Sequence, residues 1–165
     1  MIELRRTDSS DQDFQALVKM LDDELRIRDG ADHPFYAQFN KLDAIRHVLV
    51  AYDDHVAVGC GAFRQYSENT VEIKRMFVHP VHRGQGIASL ILSNLESWAF
   101  EERYTECILE TGYNQPEAIA LYKKAGYLQI TNYGPYADIA NSICFGKKIS
   151  GLNPPGVAFQ PINRP

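Results

Sequence analysis

Residues 81–88 read Val-His-Arg-Gly-Gln-Gly-Ile-Ala, and they join an apolar, strand-like segment to an amphipathic helix through two glycines. Gly84 and Gly86 allow the main chain to approach a ligand closely, because glycine carries no Cβ. The N–H groups in the first turn of the following helix have no partners inside that helix, so an anion can accept their hydrogen bonds. This pattern predicts a loop that binds the phosphates of a cofactor.

Two well-known phosphate-binding loops are excluded by the residues around Gly86. A Walker loop ends in Gly-Lys-Ser/Thr, and neither lysine nor threonine follows Gly86. A dinucleotide fingerprint needs a third glycine where Ser89 stands, and no long βαβ unit precedes it. The remaining interpretation is the pattern Arg/Gln-x-x-Gly-x-Gly/Ala over Arg83–Ala88, which follows a predicted strand over Val71–Val78.

A second motif lies further along the chain at Gln115–Tyr127, where the sequence is QPEAIALYKKAGY. It resembles the pattern Asn-x-x-Ala-x-x-Leu-Tyr-x-x-x-Gly-Phe/Tyr of the GNAT superfamily of N-acetyltransferases, and Arg83–Ala88 resembles the acetyl-CoA motif of the same superfamily. Gln115 departs from the pattern, since the family has Asn at that position. The two signatures occur in the expected order, each on the expected element.

The resemblance covers about Ile2–Ile149 and implies the element order β-α-(α)-β-β-β-α-β-α-β-β. The implied fold is a mixed α/β (α+β) domain with a mostly antiparallel central sheet flanked by helices. In that fold two central strands splay apart and leave backbone groups free to pair with the pantetheine arm of the cofactor. We therefore expect a GNAT domain at residues 1–150 and an irregular, proline-containing tail at residues 151–165.

The hydrophobic pattern of the chain predicts elements in the same order. Residues 9–12 offer a capping box before an amphipathic helix. The apolar pattern over residues 48–78 predicts three antiparallel strands, and a second helix follows the glycine loop. Pro116 fits the first turn of a third helix, and Gly126 fits the left-handed position after its end. The apolar faces of the first two helices consist of Phe14, Leu17, Val18, Leu21 and Leu25, and of Ile87, Leu90, Ile91, Leu95 and Trp98.

Composition limits the class of protein and its partners. The 165 residues are 45% hydrophobic and 23% charged, which is ordinary for one globular domain. The net charge of −4 argues against a nucleic-acid partner, because binding phosphates needs a basic surface. The charged start Met1–Asp8 does not resemble a signal peptide, and no segment reaches membrane-spanning length, so we expect a cytoplasmic protein without a membrane partner. A homodimer stays open.

The chain contains three cysteines: Cys60, Cys107 and Cys144. Their number is odd, they are widely spaced, and each stands among apolar strand residues. These features indicate reduced thiols that pack in the core, rather than disulfides or a metal site. A catalytic thiol is the less favoured alternative.

The resemblance implies acetyl-CoA as co-substrate and no metal. The glycine loop corresponds to the pyrophosphate site, where the backbone N–H groups matter most and Arg83 either assists or covers the loop as a surface residue. The end of the central strand and the first residue of the second motif correspond to the pantetheine site. His79 and His82 flank the loop and are interpreted as loop or capping residues. The cofactor-binding residues predicted in this way are Met76, Phe77, Val78, Arg83, Gly84, Gln85, Gly86, Ile87, Ala88 and Gln115.

Acetyl transfer from a thioester to an amine needs a neutral amine, a polarised carbonyl and a proton for the leaving thiolate. Tyr122 matches the family tyrosine that serves as general acid, and its alternative role is a core tyrosine. Glu72 on the central strand is the predicted general base, acting through water as carboxylates at this place do in the family. Glu110 and water alone are the alternatives. Lys74 and Arg75 are nearby cations with which these carboxylates can pair.

The expected acceptor is a primary amine of a small molecule. A protein N-terminus or lysine side chain is one alternative, and a CoA-binding sensor without turnover is another. The resemblance places the acceptor wall at residues 25–40 and in the loop Tyr133–Tyr136, whose tyrosines either line an aromatic mouth or stabilise a turn. Arg26 and Arg28 either grip an acceptor carboxylate or pair with acidic residues of their own helix.

Overall fold

The computed structural model describes residues 1–32, 34 and 44–149. Part of the acceptor wall predicted at residues 25–40 and the whole tail predicted at 151–165 lie outside the described residues, so both stay predictions. The helices are α1 (Gln12–Asp29), α2 (Ile87–Glu101) and α3 (Pro116–Lys124). The strands are β1 (Ile2–Thr7), β2 (His47–Asp53), β3 (Val56–Gln65), β4 (Thr70–Val78), β5 (Glu106–Gly112), β6 (Leu128–Ile130) and β7 (Ser142–Lys148).

The strands form one seven-stranded sheet in the order β1-β2-β3-β4-β5-β7-β6. Neighbours are antiparallel except for β4 and β5, which run parallel. That parallel pair has its last matched residues at Glu72 and Ile108, although β4 continues to Val78 and β5 to Gly112. The central strands therefore diverge after Glu72. The predicted fold class, a mostly antiparallel sheet with splayed central strands, is confirmed.

Helix α1 packs against one face of the sheet. Phe14, Leu17 and Val18 are buried there, in a cluster with residues of β2 and β3. The predicted capping box is wrong in detail, because Asp11 alone caps the helix by accepting a hydrogen bond from the Phe14 N–H at 2.9 Å. The Ser9 hydroxyl instead accepts the Ile45 N–H at 2.9 Å and fixes the segment that precedes β2.

Helix α2 covers the opposite face of the sheet. Its predicted apolar residues Ile87, Ile91, Leu95 and Trp98 are buried in the main core, as amphipathic spacing requires. Leu90 is the exception, since it is 39% exposed. The three cysteines are buried free thiols in the described structure, which confirms the prediction that they pack in the core: Cys60, Cys107 and Cys144.

Strand β4 contains a bulge just beyond the point where it leaves β5. Cys60 of β3 pairs with Phe77, and Ala62 pairs with Lys74, so one residue of β3 faces two residues of β4. Arg75 lies in this bulge with a φ of +62°, in the left-handed region. Gly61 lies opposite, where a Cβ would come 2.6 Å from the Met76 sulfur. The bulge thus fixes the backbone at the opening between the strands.

Candidate functional site

The divergence of β4 and β5 opens two adjoining cavities. The larger, here called the loop cleft, has a volume of about 520 Å³ and runs from the end of β4 past the glycine loop to α3. The smaller, here called the splay pocket, has a volume of about 110 Å³ and lies between α1, β4 and β5. Residues from α1, β4 and α3 line both cavities: Leu21, Leu25, Met76, Gln115, Ala118 and Tyr122.

The glycine loop presents to the loop cleft backbone N–H groups that have no partner inside α2. Gly84 and Gly86 both have a φ of +79°, and Gly86 begins α2 without a capping side chain. The first backbone bond that returns to Gly86 comes from Leu90, at 3.0 Å, so earlier N–H groups of α2 lack helical partners. A Cβ at either glycine would meet no protein atom within 4 Å. The loop therefore leaves space and hydrogen-bond donors for an anion.

Arg83 ties this loop to neighbouring elements. Its Nε donates to the Val78 carbonyl oxygen at 2.8 Å, and its two terminal nitrogens contact the Glu24 carboxylate at 3.2 and 2.6 Å. The side chain also lines the loop cleft, so the pyrophosphate contact predicted for it stays a prediction. His79 behaves as a capping residue, since its Nδ1 accepts the Val81 N–H at 3.3 Å.

Most of the predicted cofactor-binding residues come together around the loop cleft. Gln115 lies at the N-terminus of α3 and makes no capping bond with its side chain, which leaves the amide for other contacts. Gln85 does not line the cleft and is exposed. The predicted residues that line it are Met76, Phe77, Val78, Arg83, Gly84, Gly86, Ile87, Ala88 and Gln115.

Tyr122 lies in the wall that the two cavities share. Its side chain is buried, with 6% of the residue exposed, and its ring packs edge-on against Tyr127. Burial, and to a smaller extent the Glu110 carboxylate, raises the pKa of Tyr122 well above its ordinary value. The phenol is therefore protonated at neutral pH, as a proton donor must be.

Glu72 is buried at the base of the splay pocket, and only 2% of it is exposed. One carboxylate oxygen accepts from Arg64 Nε at 2.9 Å, and the other accepts from the Tyr133 hydroxyl at 2.7 Å. Arg64, and not Arg75, is thus the arginine that pairs with this carboxylate. The contact also gives Tyr133 a role that neither alternative from the sequence had named.

Glu110 offers a different environment on the other side of the same pocket. It lies on β5, and its Oε1 is buried without a hydrogen-bond partner among the described residues. Burial raises the pKa of the Glu110 carboxyl to about 7, and the charges of Glu72 and Asp29 act in the same direction. The carboxyl is therefore able to accept a proton near neutral pH.

Arg75 was named from the sequence only as a possible partner of Glu72 or Glu110, and its place in the pocket was not predicted. It lines the splay pocket with only 6% of its surface exposed. Its Nη1 donates to Asp22 of α1 at 3.0 Å, while its Nη2 is buried and has no acceptor in the described part of the chain. The signal in the sequence was a charged residue at the strand spacing of the apolar residues Val71 and Ile73.

The two arginines at the end of α1 pair with acidic side chains. Arg26 lies 4.0 Å from Asp23, and Arg28 contacts Glu24 at 3.3 Å. Arg28 also reaches Glu117 of α3 at 2.8 Å across the edge of the loop cleft. Arg26 and Arg28 thus pair with acidic side chains in this structure, which is the second of the two roles considered for them from the sequence.

Two further features of the described residues concern metals and membranes. They contain no group of three or more His, Cys, Asp or Glu residues that could hold a metal ion. None of their helices combines the length and the apolar character that crossing a bilayer requires.

The acetyltransferase (GNAT) family matches residues 14–127 of the chain. A protein of Azospirillum brasilense named IAA acetyltransferase is 40% identical over 89 residues, which are 53% of this chain and 58% of that protein. This chain thus spans only part of the length of these curated relatives, and its match to human N-acetyltransferase 8 covers 26% of that protein.

Solved structures share the fold over most of the chain. A Klebsiella pneumoniae protein assigned as an acyl-CoA N-acyltransferase is 30% identical with a TM-score of 0.76, covering 90% of this chain and 98% of that one. The PaiA N-acetyltransferase of Thermoplasma acidophilum, solved in complex with coenzyme A, is 16% identical with a TM-score of 0.67, covering 90% and 99%. The family match extends over more than half of the sequence, so this chain belongs to the GNAT family of acetyltransferases.

Proposed function

We propose that this protein transfers the acetyl group of acetyl-CoA directly to a primary amine of a small molecule, without a metal. The observation that carries the proposal is the meeting of two cavities at Tyr122. One cavity contains the glycine loop with its unpaired N–H groups, and the other contains the Glu110 carboxyl. Family membership supports the same chemistry.

The loop cleft has the properties that a CoA molecule requires. The N–H groups at the start of α2 suit the diphosphate, and the two glycines leave room for it. Beyond Glu72, β4 has no matched residues on β5, so backbone groups of Met76–Val78 on that edge have no strand partner there and suit the amide-containing pantetheine arm, although the Val78 carbonyl oxygen also accepts from Arg83. Gln115 adds a side-chain amide at the junction. Acetyl-CoA supplies the thioester, and Glu110 and Tyr122 accept and donate the protons.

The proposed reaction needs one base and one acid. Glu110 accepts a proton from the incoming ammonium group, directly or through water, which makes the nitrogen nucleophilic. The nitrogen then forms a bond to the acetyl carbon while the carbon–sulfur bond breaks. Tyr122 donates its phenolic proton to the departing thiolate, and the second proton lost by the nitrogen restores the phenol. The products are an N-acetylated amine and CoA.

The contacts favour Glu110 over Glu72 as the base, although the family resemblance pointed to Glu72. Both oxygens of Glu72 already accept short hydrogen bonds, from Arg64 and Tyr133, whereas Oε1 of Glu110 has no partner among the described residues. Those two bonds occupy acceptor positions of Glu72 that a proton from the substrate would need. In this proposal Glu72 fixes Tyr133 and the floor of the pocket.

The size of the splay pocket supports a small acceptor. A cavity of about 110 Å³ between α1, β4 and β5 suits a small amine better than a polypeptide segment. Acetylation of a protein N-terminus or lysine remains the rival enzyme activity, and a CoA-binding sensor without turnover is the rival outside catalysis. Mass spectrometry of incubated peptides and a thiol-release assay with free amines distinguish the three.

The test begins with isothermal titration of the protein with acetyl-CoA and, as control, with NAD. We expect binding of acetyl-CoA and none of NAD, and the absence of acetyl-CoA binding would overturn the assignment of the loop. A thiol-release assay then compares Tyr122→Phe, Glu110→Gln and Glu72→Gln, with Tyr113→Phe as the control at an exposed tyrosine. Unchanged rates in both Tyr122→Phe and Glu110→Gln would refute the proposed mechanism.

A further inference from the structure

The splay pocket contains two buried polar atoms that have no hydrogen-bond partner among the described residues, one a donor and the other an acceptor. Nη2 of Arg75 is a hydrogen-bond donor on a cation, and Oε1 of Glu110 is an acceptor on a carboxyl group. Both residues line the pocket. Buried polar groups in folded proteins are nearly always bonded, so two such atoms in one cavity indicate a ligand that completes both.

The donor without an acceptor, Nη2 of Arg75, belongs to a side chain that is buried and held in place. Arg75 lies in the β4 bulge, its side chain is only 3% exposed, and the 3.0 Å bond from Nη1 to Asp22 fixes one edge of the guanidinium. A guanidinium offers donors in a planar fork that matches a carboxylate. Asp22 of α1 is 39% exposed and contacts Nη1 on one edge of the guanidinium. The other edge, which carries Nη2, is left for a second anion.

The other charged residues of the pocket do not supply that second anion. Glu72 is bonded through both oxygens to Arg64 and Tyr133. Lys74 and Asp29 also line the pocket, and each takes part in an interaction of its own. A second ammonium group, as in a diamine, would be repelled where Nη2 of Arg75 points, whereas a carboxylate would be attracted.

We infer that the acetyl acceptor is an amino carboxylate, whose carboxylate binds Nη2 of Arg75 and whose ammonium group binds Glu110 beside Tyr122. The inference rests on the proposed function, because Glu110 must be next to the reacting nitrogen. Beyond the proposed function, the inference names the class of acceptor and the residue that selects it. Acetylation turns the ammonium into a neutral amide, so the product keeps only the contact with Arg75 and leaves more readily than the substrate does.

The test compares amines in matched pairs that differ only by a carboxylate. Phenylalanine is paired with phenethylamine, lysine with cadaverine, and 4-aminobutyrate with propylamine, so that the spacing between amine and carboxylate is measured rather than assumed. In the wild type we expect at least one pair in which the amino carboxylate is preferred by about 100-fold in kcat/KM, because an amine without the carboxylate leaves Nη2 of Arg75 without an acceptor.

The variants separate a specificity role from a structural one. Arg75→Met should remove the preference, because KM for the amino carboxylate should rise far more than KM for the matched amine. Arg75→Lys should retain part of the preference, and Asp22→Asn should lower KM for the amino carboxylate because the guanidinium loses its competing anion. Arg26→Met, at an exposed arginine of α1, is the control and should change nothing.

The outcomes are distinguishable from those of the proposed function. If acetyl-CoA binds and amines are acetylated, but no pair favours the carboxylate or diamines are preferred, the amino-carboxylate inference is wrong and the acetyltransferase proposal stands. If the preference exists and Arg75→Lys and Asp22→Asn leave it unaltered, Arg75 is not the specificity residue. If acetyl-CoA does not bind at all, the proposed function fails first, and the inference fails with it.

Discussion

Glu110 is the residue whose ionisation should set the pH dependence of catalysis. Burial raises its pKa to about 7, and only the ionised carboxylate can accept a proton. We expect kcat/KM to rise with pH up to about 7 because of this group, on top of any dependence that comes from the amine itself. Glu110→Gln should remove that component, so that the slope of log(kcat/KM) against pH below 7 falls by one.

At pH 7.5, Glu110→Gln should lower kcat/KM by roughly 100-fold or more, the usual contribution of a positioned base. Glu72→Gln is the comparison, and it should keep the component but move it to somewhat lower pH, because the Glu72 charge helps to raise the pKa of Glu110. A wild-type slope that survives in Glu110→Gln would assign the base to another group.

The same carboxyl should affect stability in the opposite sense from most acidic residues. Its pKa in the folded protein is raised from 4.5 to about 7, so its contribution is fully present below pH 4.5 and is lost as the pH rises through 7. Glu110→Gln removes this loss. We expect the free energy of unfolding of the variant, relative to the wild type, to increase by on the order of 2 kcal/mol between pH 5 and pH 8.

Urea denaturation at the two pH values measures this difference. Glu68→Gln, in the exposed bend between β3 and β4, is the control, and its difference from the wild type should be the same at both pH values. A relative stability of Glu110→Gln that does not change with pH would contradict the assignment of a raised pKa to this carboxyl.

The contrast between Tyr122 and Arg75 shows which residues of the site the sequence could predict. Tyr122 stands inside a motif with fixed spacing, and the structure places it between the two cavities. Arg75 stands in a bulge, and the bulge depends on the pairing of β3 with β4. Its partner Asp22 lies on another element, so nothing in the local sequence indicated the contact.

At the scale of elements, the role of the loop between β4 and α2 in binding acetyl-CoA can be tested by comparing substitutions at two glycines. Gly86 and Gly126 both have positive φ, +79° and +93°, and a Cβ at either would meet little or nothing of the protein. Alanine at either position should therefore cost a similar ~1 kcal/mol of stability, from backbone strain alone. Of these two glycines, Gly86 lines the loop cleft and Gly126 does not.

Gly86→Ala should for that reason weaken acetyl-CoA binding much more than Gly126→Ala does. We expect the Kd measured by isothermal titration to rise at least about tenfold in Gly86→Ala, because the added methyl group occupies space at the anion-binding N-terminus of α2. Gly126→Ala should bind as the wild type does. Equal affinity in both variants would mean that the diphosphate does not approach this loop.

The elements themselves were largely predictable, and their terminal details were not. Residues with regular apolar spacing, such as Ile87, Ile91 and Leu95, are buried where the pattern placed them. Leu90 fits the same spacing and yet is exposed, so the spacing alone does not tell which of these residues the sheet covers. The N-terminus of α1 was placed correctly, but several residues there can act as caps, and the pattern does not choose between Ser9 and Asp11.

At the scale of the whole molecule, α1 connects the parts that surround both cavities. Its acidic and basic side chains pair with β4 through Asp22 and Arg75, with the glycine loop through Glu24 and Arg83, and with α3 through Arg28 and Glu117. None of these pairs is local in sequence, which is why helical spacing suggested only the pairs within α1. The cavities are therefore a property of the assembled chain.

A ligand that contacts several of these elements should stabilise the whole fold, since binding to the native state alone shifts the unfolding equilibrium. At a concentration 100 times its Kd, acetyl-CoA should add about 2.7 kcal/mol, which is roughly 5–10 °C in Tm for a domain of this size. NAD at the same concentration should leave Tm unchanged. Gly86→Ala should show a smaller shift at that acetyl-CoA concentration, and Gly126→Ala the full one. A similar shift with NAD, or none with acetyl-CoA, would contradict a CoA site formed by α1, β4, the glycine loop and α3 together.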